Sequence, residues 1–281
     1  MMLRHTFCHI PGIGLKAEMN LWSKGVNCWD DVLRMSLTEV SSYRTVLLKT
    51  RVIESWRSLE NYDPNYFADS LPTGELWRLF GDFRDSVAYV DIETCPTRRS
   101  PNAITTISMY DGENIYHYVR GKNLEQFADD IQRYKVVVTY NGKCFDIPVL
   151  EKSLRIRMRQ AHIDLRHLLK SLGYTGGLKG CEKKLGIDRS ELDGVNGYFA
   201  VLLWYDYRKK NNQKALDTLL AYNTLDAVNL HQLMVTAYNL KLKETPFYEE
   251  HRLELPKPIQ NPFEADVETL ERIRERIGTV N

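Results

Sequence analysis

The apolar positions of this chain change period near residue 86. From Ser86 to Thr94 the run SVAYVDIET is β-branched and aromatic and reads as a strand. Ala103 to Tyr110 and Ile115 to Val119 read as two further strands, joined across Asp111-Gly112, a hairpin signal. Leu124, Phe127, Ala128 and Ile131 mark an amphipathic helix, and Val136 to Tyr140 is a Val-rich strand. The chain then turns through Asn141-Gly142 into a helix whose first turn holds Pro148 and whose pattern over Val149 to Met158 ends in RIRMR. His162 to Leu165 predicts a short strand, with Asp164 as the cap of the helix carrying Leu165, Leu168 and Leu169. Leu178 to Leu185, Asp193 to Lys210 and Ala215 to Ala237 predict helices, the last with an apolar stripe of Leu216, Leu219, Leu220, Ala227 and Leu230.

Before residue 86 the pattern is helical. Ser36 to Tyr43 and Arg44 to Leu59 predict helices, and Asn61 to Thr73, with Pro64 and Pro72, reads as a connection. Near the start, Pro11-Gly12-Ile13-Gly14 stands ahead of a helix. Such a turn either caps a helix or, as in helix-hairpin-helix modules, offers backbone N–H groups of Gly12 and Gly14 to a phosphate. Beyond Leu240 the prolines and the loss of period predict an extended tail that wraps the domain or is partly mobile, then a charged helix over Glu264 to Ile277. The expected division is a helical accessory region at 1–82, a central domain at 83–240 and a tail at 241–281.

Composition narrows the function classes. Lys+Arg 38 against Asp+Glu 37 gives a formal charge of +1, so a polyanionic partner would be met by local patches. Arg155 and Arg157, in the run after the second motif, are candidates for such a patch, although a charge run also serves as a solvated face. Five cysteines without a C-x-x-C pair fit a reduced, cytoplasmic protein, and no stretch of eighteen apolar residues predicts a membrane span.

The chemistry is acidic. Asp91 and Glu93, two apart on a strand, point to one side. Two anions together at the end of an apolar strand are costly unless a cation or proton compensates them, which points to a metal site, the alternative being a strand whose last residues run out into solvent. Asp146 stands beside a helix N-terminus, where capping alone would explain it. Tyr222 and Asp226, four apart on the long helix, share a face, where a surface tyrosine and a solvated aspartate would equally explain them.

Taken together, D-x-E at a strand end, N-x-x-x-F-D at a strand-to-helix turn and Y-x-x-x-D on a later helix resemble the DEDD family of 3′–5′ exonucleases, in its tyrosine-bearing branch. The stretch from His5 to Met234 also resembles the YprB-like group of predicted exonucleases. The resemblance implies an α/β fold with an RNase H-like mixed five-stranded sheet flanked by helices. The order of three antiparallel strands, a helix and a strand parallel to the first agrees with that sheet. It further implies that Asp91, Glu93, Asp146 and Asp226 hold two divalent ions, Mg²⁺ or Mn²⁺, that Asn141 belongs to the second motif on the nucleic-acid side, and that Tyr222 orients the attacking water. The implied substrate is single-stranded DNA or RNA with a 3′ end. A binding module without turnover and an endonuclease of the same fold are the rival readings.

Overall fold

Strand β1 (Val87–Cys95) is the centre of a five-stranded sheet because both of its faces are apolar and each is covered by a different set of helices. β2 (Ala103–Tyr110) and β3 (Ile115–Val119) lie antiparallel on one side of it, and β4 (Val136–Thr139) and β5 (Ala161–Asp164) lie parallel on the other, giving the order β3-β2-β1-β4-β5. This computed structural model describes residues 1–35, 42–98 and 100–278. The segment Ser36–Ser41, within the predicted Ser36 to Tyr43 helix, lies outside the described residues, as does Arg99.

The helices, in chain order, are α1 (Leu15–Ser23), α2 (Trp29–Arg34), α3 (Ser42–Glu60), α4 (Pro64–Ser70), α5 (Leu79–Phe83), α6 (Phe127–Asp130), α7 (Asp146–Leu154), α8 (Leu165–Ser171), α9 (Gly177–Lys184), α10 (Gly197–Lys210), α11 (Gln213–Leu242), α12 (Tyr248–His251) and α13 (Val267–Gly278). The mixed sheet expected from the sequence is therefore present, flanked by helices as predicted.

The period of two along β1 sorts its side chains. Ala88, Val90 and Ile92 pack with Phe127, Ile131 and Leu150 on one face, where α6 and α7 cover the sheet. Val87 and Tyr89 join Leu230, Leu233 and Met234 of α11 on the other, and this second core continues into Met2, Leu3, Phe7, Trp29 and Trp77. Asp91 and Glu93 follow Tyr89 on the α11 face, at the end of the strand where α11 presents polar side chains.

The N-terminal helices are pinned by a buried charge cluster. Glu18 of α1 accepts from the backbone N–H groups of Phe7 (2.6 Å) and Cys8 (3.0 Å), and Arg78 donates to it through two nitrogens at 2.9 and 2.8 Å. Arg78 also donates to Glu75 at 2.7 Å. Such a network persists only because each partner is satisfied.

Three local expectations are corrected. The connection at Asn61–Thr73 contains α4, in which Pro64 takes the first helical position and Asp63 caps the turn by accepting from Asn65 N–H at 3.0 Å. The helix of the second motif ends at Leu154, not Met158, because Arg155 adopts a left-handed conformation (φ 56°). Arg155, Arg157 and Arg159 then stand exposed on an extended segment that turns Ile156 and Met158 inward. The predicted Asp193 to Lys210 helix begins only at Gly197, where Asn196 caps it by accepting from Phe199 N–H at 3.0 Å.

The tail runs back along α11. Asn239 exchanges two hydrogen bonds with the backbone of Leu253, Asn261 donates to the Ala221 carbonyl, and Thr218 accepts from the Asp266 N–H. α13 then buries Leu270 and Ile273 against α10 and α11. Among the described residues no helix is long and apolar enough to cross a membrane.

Candidate active site

Two periodicities build the site. Alternation on β1 puts Asp91 and Glu93 on the α11 side, and the register shift between Glu93 and Thr94 in the β1–β2 ladder falls beside them. On α11, Tyr222 and Asp226 are one turn apart and both are buried against the sheet. Oxygen atoms of Asp91, Glu93 and Asp226 all come within 4.8 Å of one another. Glu93 and Asp226 are buried and Asp91 half-buried.

Asp146, the first residue of α7, stands outside this tight group but close enough to act on both Asp91 and Glu93 electrostatically. It is carried by the turn between β4 and α7. Asp164 organises that turn by accepting from the N–H groups of Asn141 (2.8 Å) and Lys143 (3.1 Å), while it also caps α8 by accepting from Arg166 N–H (3.0 Å). The Asn141 side chain is engaged by Arg166, which donates to its Oδ1.

The electrostatics express the crowding. Burial, then the charges of Asp226, Glu93 and Asp146, push the Asp91 carboxyl well above the usual range. Glu93 moves the same way, by burial and then Asp226, with Lys179 opposing. Burial pushes Asp146 up to about 7, against the backbone N–H groups that face it. Neighbouring carboxylates that cannot all ionise favourably are what a divalent cation would relieve, and an all-oxygen donor set suits Mg²⁺ or Mn²⁺. The residues present fit such ions.

Two protein cations reach into the same space. Arg189, almost fully buried, donates to Asp226 through one nitrogen and to both oxygens of Glu182 through another at 2.8 and 2.7 Å. Asn229 of α11 donates to Glu182 as well, at 2.7 Å. Lys179 of α9 donates to the Tyr222 hydroxyl at 2.8 Å and to the Val195 carbonyl, and its ammonium lies 4.5 Å from the Tyr222 ring centre. Burial and the nearby Asp226, Glu93 and Asp91 push the phenol far up, so Tyr222 remains protonated. Asn223, next to Tyr222, donates to the Asp91 carboxylate at 2.6 Å and accepts from Ser108 at 3.0 Å.

Sequence reasoning missed Arg189, Glu182, Lys179, Asn223 and Asn229. Asn223 and Asn229 share the site-facing side of α11 with Tyr222 and Asp226, which the helix period could have exposed. Of the remaining predicted residues, Arg155 and Arg157 are exposed on the segment after α7. Gly12, with φ 86°, and Gly14, which precedes α1, form an exposed turn; the element before it is a four-residue 3₁₀ turn, Met2–His5.

No curated protein matches the chain. A solved structure, the family B DNA polymerase from the hyperthermophilic archaeon Pyrobaculum calidifontis, is similar with a TM-score of 0.37 and 18% identity, covering 56% of this chain. The chain corresponds to 29% of that polymerase's length. The RNase_H_2 family model, of the RNase_H superfamily, matches residues 88–238, which take in the sheet except Val87, the first residue of β1, and all but the last turn of α11. With the rest of β1, the sheet order and the carboxylate cluster all inside that match, the chain belongs to the RNase_H superfamily.

Proposed function

We propose that this protein is a metal-dependent 3′–5′ exonuclease of single-stranded nucleic acid. The observation that carries the reading is the convergence of Asp91, Glu93 and Asp226 from two distant chain segments onto one point, with oxygens within 4.8 Å. Two divalent ions, when bound, supply a Lewis acid for the scissile phosphate and lower the pKa of the attacking water.

The chain's own groups have separable tasks. Asp91, Glu93 and Asp226 would hold the ions, with Asp146 supporting from the α7 turn. Tyr222 keeps its proton and so orients water by hydrogen bonding rather than by taking a proton from it; Lys179 fixes the phenol oxygen. Lys179, Lys183 and Arg189 line one cleft together with Asp188 and Asp193; with Arg189 already paired to Glu182 and Asp226, the two lysines are the groups there that would meet a phosphate backbone.

The test is a time course with 5′-labelled single-stranded DNA and RNA in Mn²⁺, Mg²⁺ or EDTA. A metal-dependent ladder shortening from the 3′ end is expected, abolished by Asp91→Asn or Asp226→Asn and weakened by Tyr222→Phe. A second reading rests on the Arg189–Asp226 ion pair, which places a protein cation against the carboxylate cluster: a binding module without turnover. Intact substrate in every metal with retained binding would select it, and cleavage of circular substrates would select an endonuclease.

A further inference from the structure

A second cluster lies where the start of the chain meets the tail. His5 ends the 3₁₀ turn Met2–His5, and Glu250 and His251 belong to α12. One oxygen of Glu250 is 3.7 Å from His5 Nε2 and 3.5 Å from His251 Nε2, and the three donor atoms all lie within 4.8 Å of one another. A tetrahedral ion with bonds of about 2.0–2.1 Å separates its ligand atoms by about 3.4 Å, so the two separations from Glu250 are close to those of a formed site.

Two further observations favour a ligand. His5 Nδ1 donates to the Asn27 carbonyl at 2.9 Å, which leaves the Nε2 lone pair directed at the cluster, the arrangement that orients metal-binding histidines. His251 has a side chain only 9% exposed, and its buried Nε2 has no hydrogen-bond partner. Its Nδ1 lies 3.4 Å from the Met1 ammonium, which only donates, so zinc on Nε2 requires the tautomer protonated at Nδ1 and replaces that contact. The His5 ring is held by stacking on Phe247 at 4.1 Å.

We propose that His5, Glu250 and His251 form a zinc-type site that clips the tail to the N-terminal turn, with a water completing the coordination. Two imidazoles and one carboxylate suit Zn²⁺ rather than Mg²⁺, so the site is chemically distinct from the all-carboxylate cluster on β1 and α11. Metal there would tie segments 245 residues apart in sequence, from His5 to Glu250, and stabilise the docked tail.

Equilibrium dialysis of the full chain against Zn²⁺, with Co²⁺ absorption as a second readout, tests this. The wild type should hold a zinc that Glu250→Gln weakens by about tenfold or more and His251→Asn removes. Cobalt in the wild type should show the intense visible bands of a four-coordinate site, lost in both variants. Glu250 is largely exposed, so its variant keeps the fold even where His251→Asn does not. Asp91→Asn should leave this zinc in place. Zinc binding that is absent, unchanged in Glu250→Gln, or lost in Asp91→Asn would overturn the proposal.

Discussion

Arg189 is the residue on which the balance of the carboxylate cluster depends. It bridges Asp226 to Glu182, and Glu182 is fully buried, held otherwise only by Asn229 among the contacts described. Removing one partner of a buried ion pair leaves the other charge desolvated and unpaired, at a cost of about 3–5 kcal/mol. Arg189→Met should therefore lower the urea midpoint by that measure, and Arg189→Met/Glu182→Gln should recover more than half of the loss. Equal destabilisation of the single and double variants would show that the guanidinium acts through packing and not charge. Asp91 with Glu93 and Tyr222 with Asp226 were legible as same-face pairs, because a strand's period of two and a helix's period near four bring each pair together locally, while only the family resemblance joined the two pairs. Arg189, Glu182 and Lys179 were not. Their partners lie on other elements, and in the sequence they resemble the charged surface of a short helix and its following loop.

The turn between β4 and α7 shows how an element positions a side chain. A Cβ at Gly142 would lie 2.1 Å from Thr139 Oγ1 and 2.6 Å from Thr139 Cβ, the same threonine that accepts the Gly142 N–H. Gly142→Ala must push this turn away from β4 at a cost of about 1–3 kcal/mol. Because Asp146 rides on it, the variant should also lose part of the melting-temperature rise that Mn²⁺ gives the wild type; an unchanged metal response would separate Asp146 from the metal site. The junction of α5 is pH-sensitive for a different reason. Burial raises Asp82 from 3.8 to about 6, although Leu3 N–H donates to it at 3.1 Å. Between those values the folded chain holds a proton that the unfolded chain has released, so this group makes stability fall as pH rises from 4 to 6. Asp82→Asn should flatten that slope in thermal melts while keeping the Leu3 contact, and an unchanged slope would assign the proton elsewhere. At this scale the strands were legible from alternation and the hairpin from Asp111-Gly112. The misread stretches have physical causes: Pro64 starts α4 by the rule that places Pro148 inside α7, and the arginine run extends because Arg155 leaves the helical region.

Across the whole molecule, the packing of the first 82 residues argues for a single folding unit even though the sequence shows a change of pattern there. Met2, Leu3, Phe7, Trp29 and Trp77 share one core with Val87, Tyr89, Val138 and α11 residues, and Tyr238 of α11 packs edge-on against Trp77 and Phe80. Gly81 exists to admit that contact, since a Cβ there would stand 2.4 Å from the Tyr238 hydroxyl. Four of the five tryptophans, Trp22, Trp29, Trp56 and Trp77, lie before residue 83, so their emission reports that region while far-UV circular dichroism reports the whole chain. A shared core predicts coincident urea transitions by the two probes. It also predicts that millimolar Mn²⁺, acting on carboxylates of β1 and α11, moves the tryptophan transition as far as the dichroism transition, because ligand binding stabilises every part of one cooperative unit equally. Two separated transitions, with only the dichroism curve answering to metal, would instead establish residues 1–82 as an independently folding domain docked on the sheet.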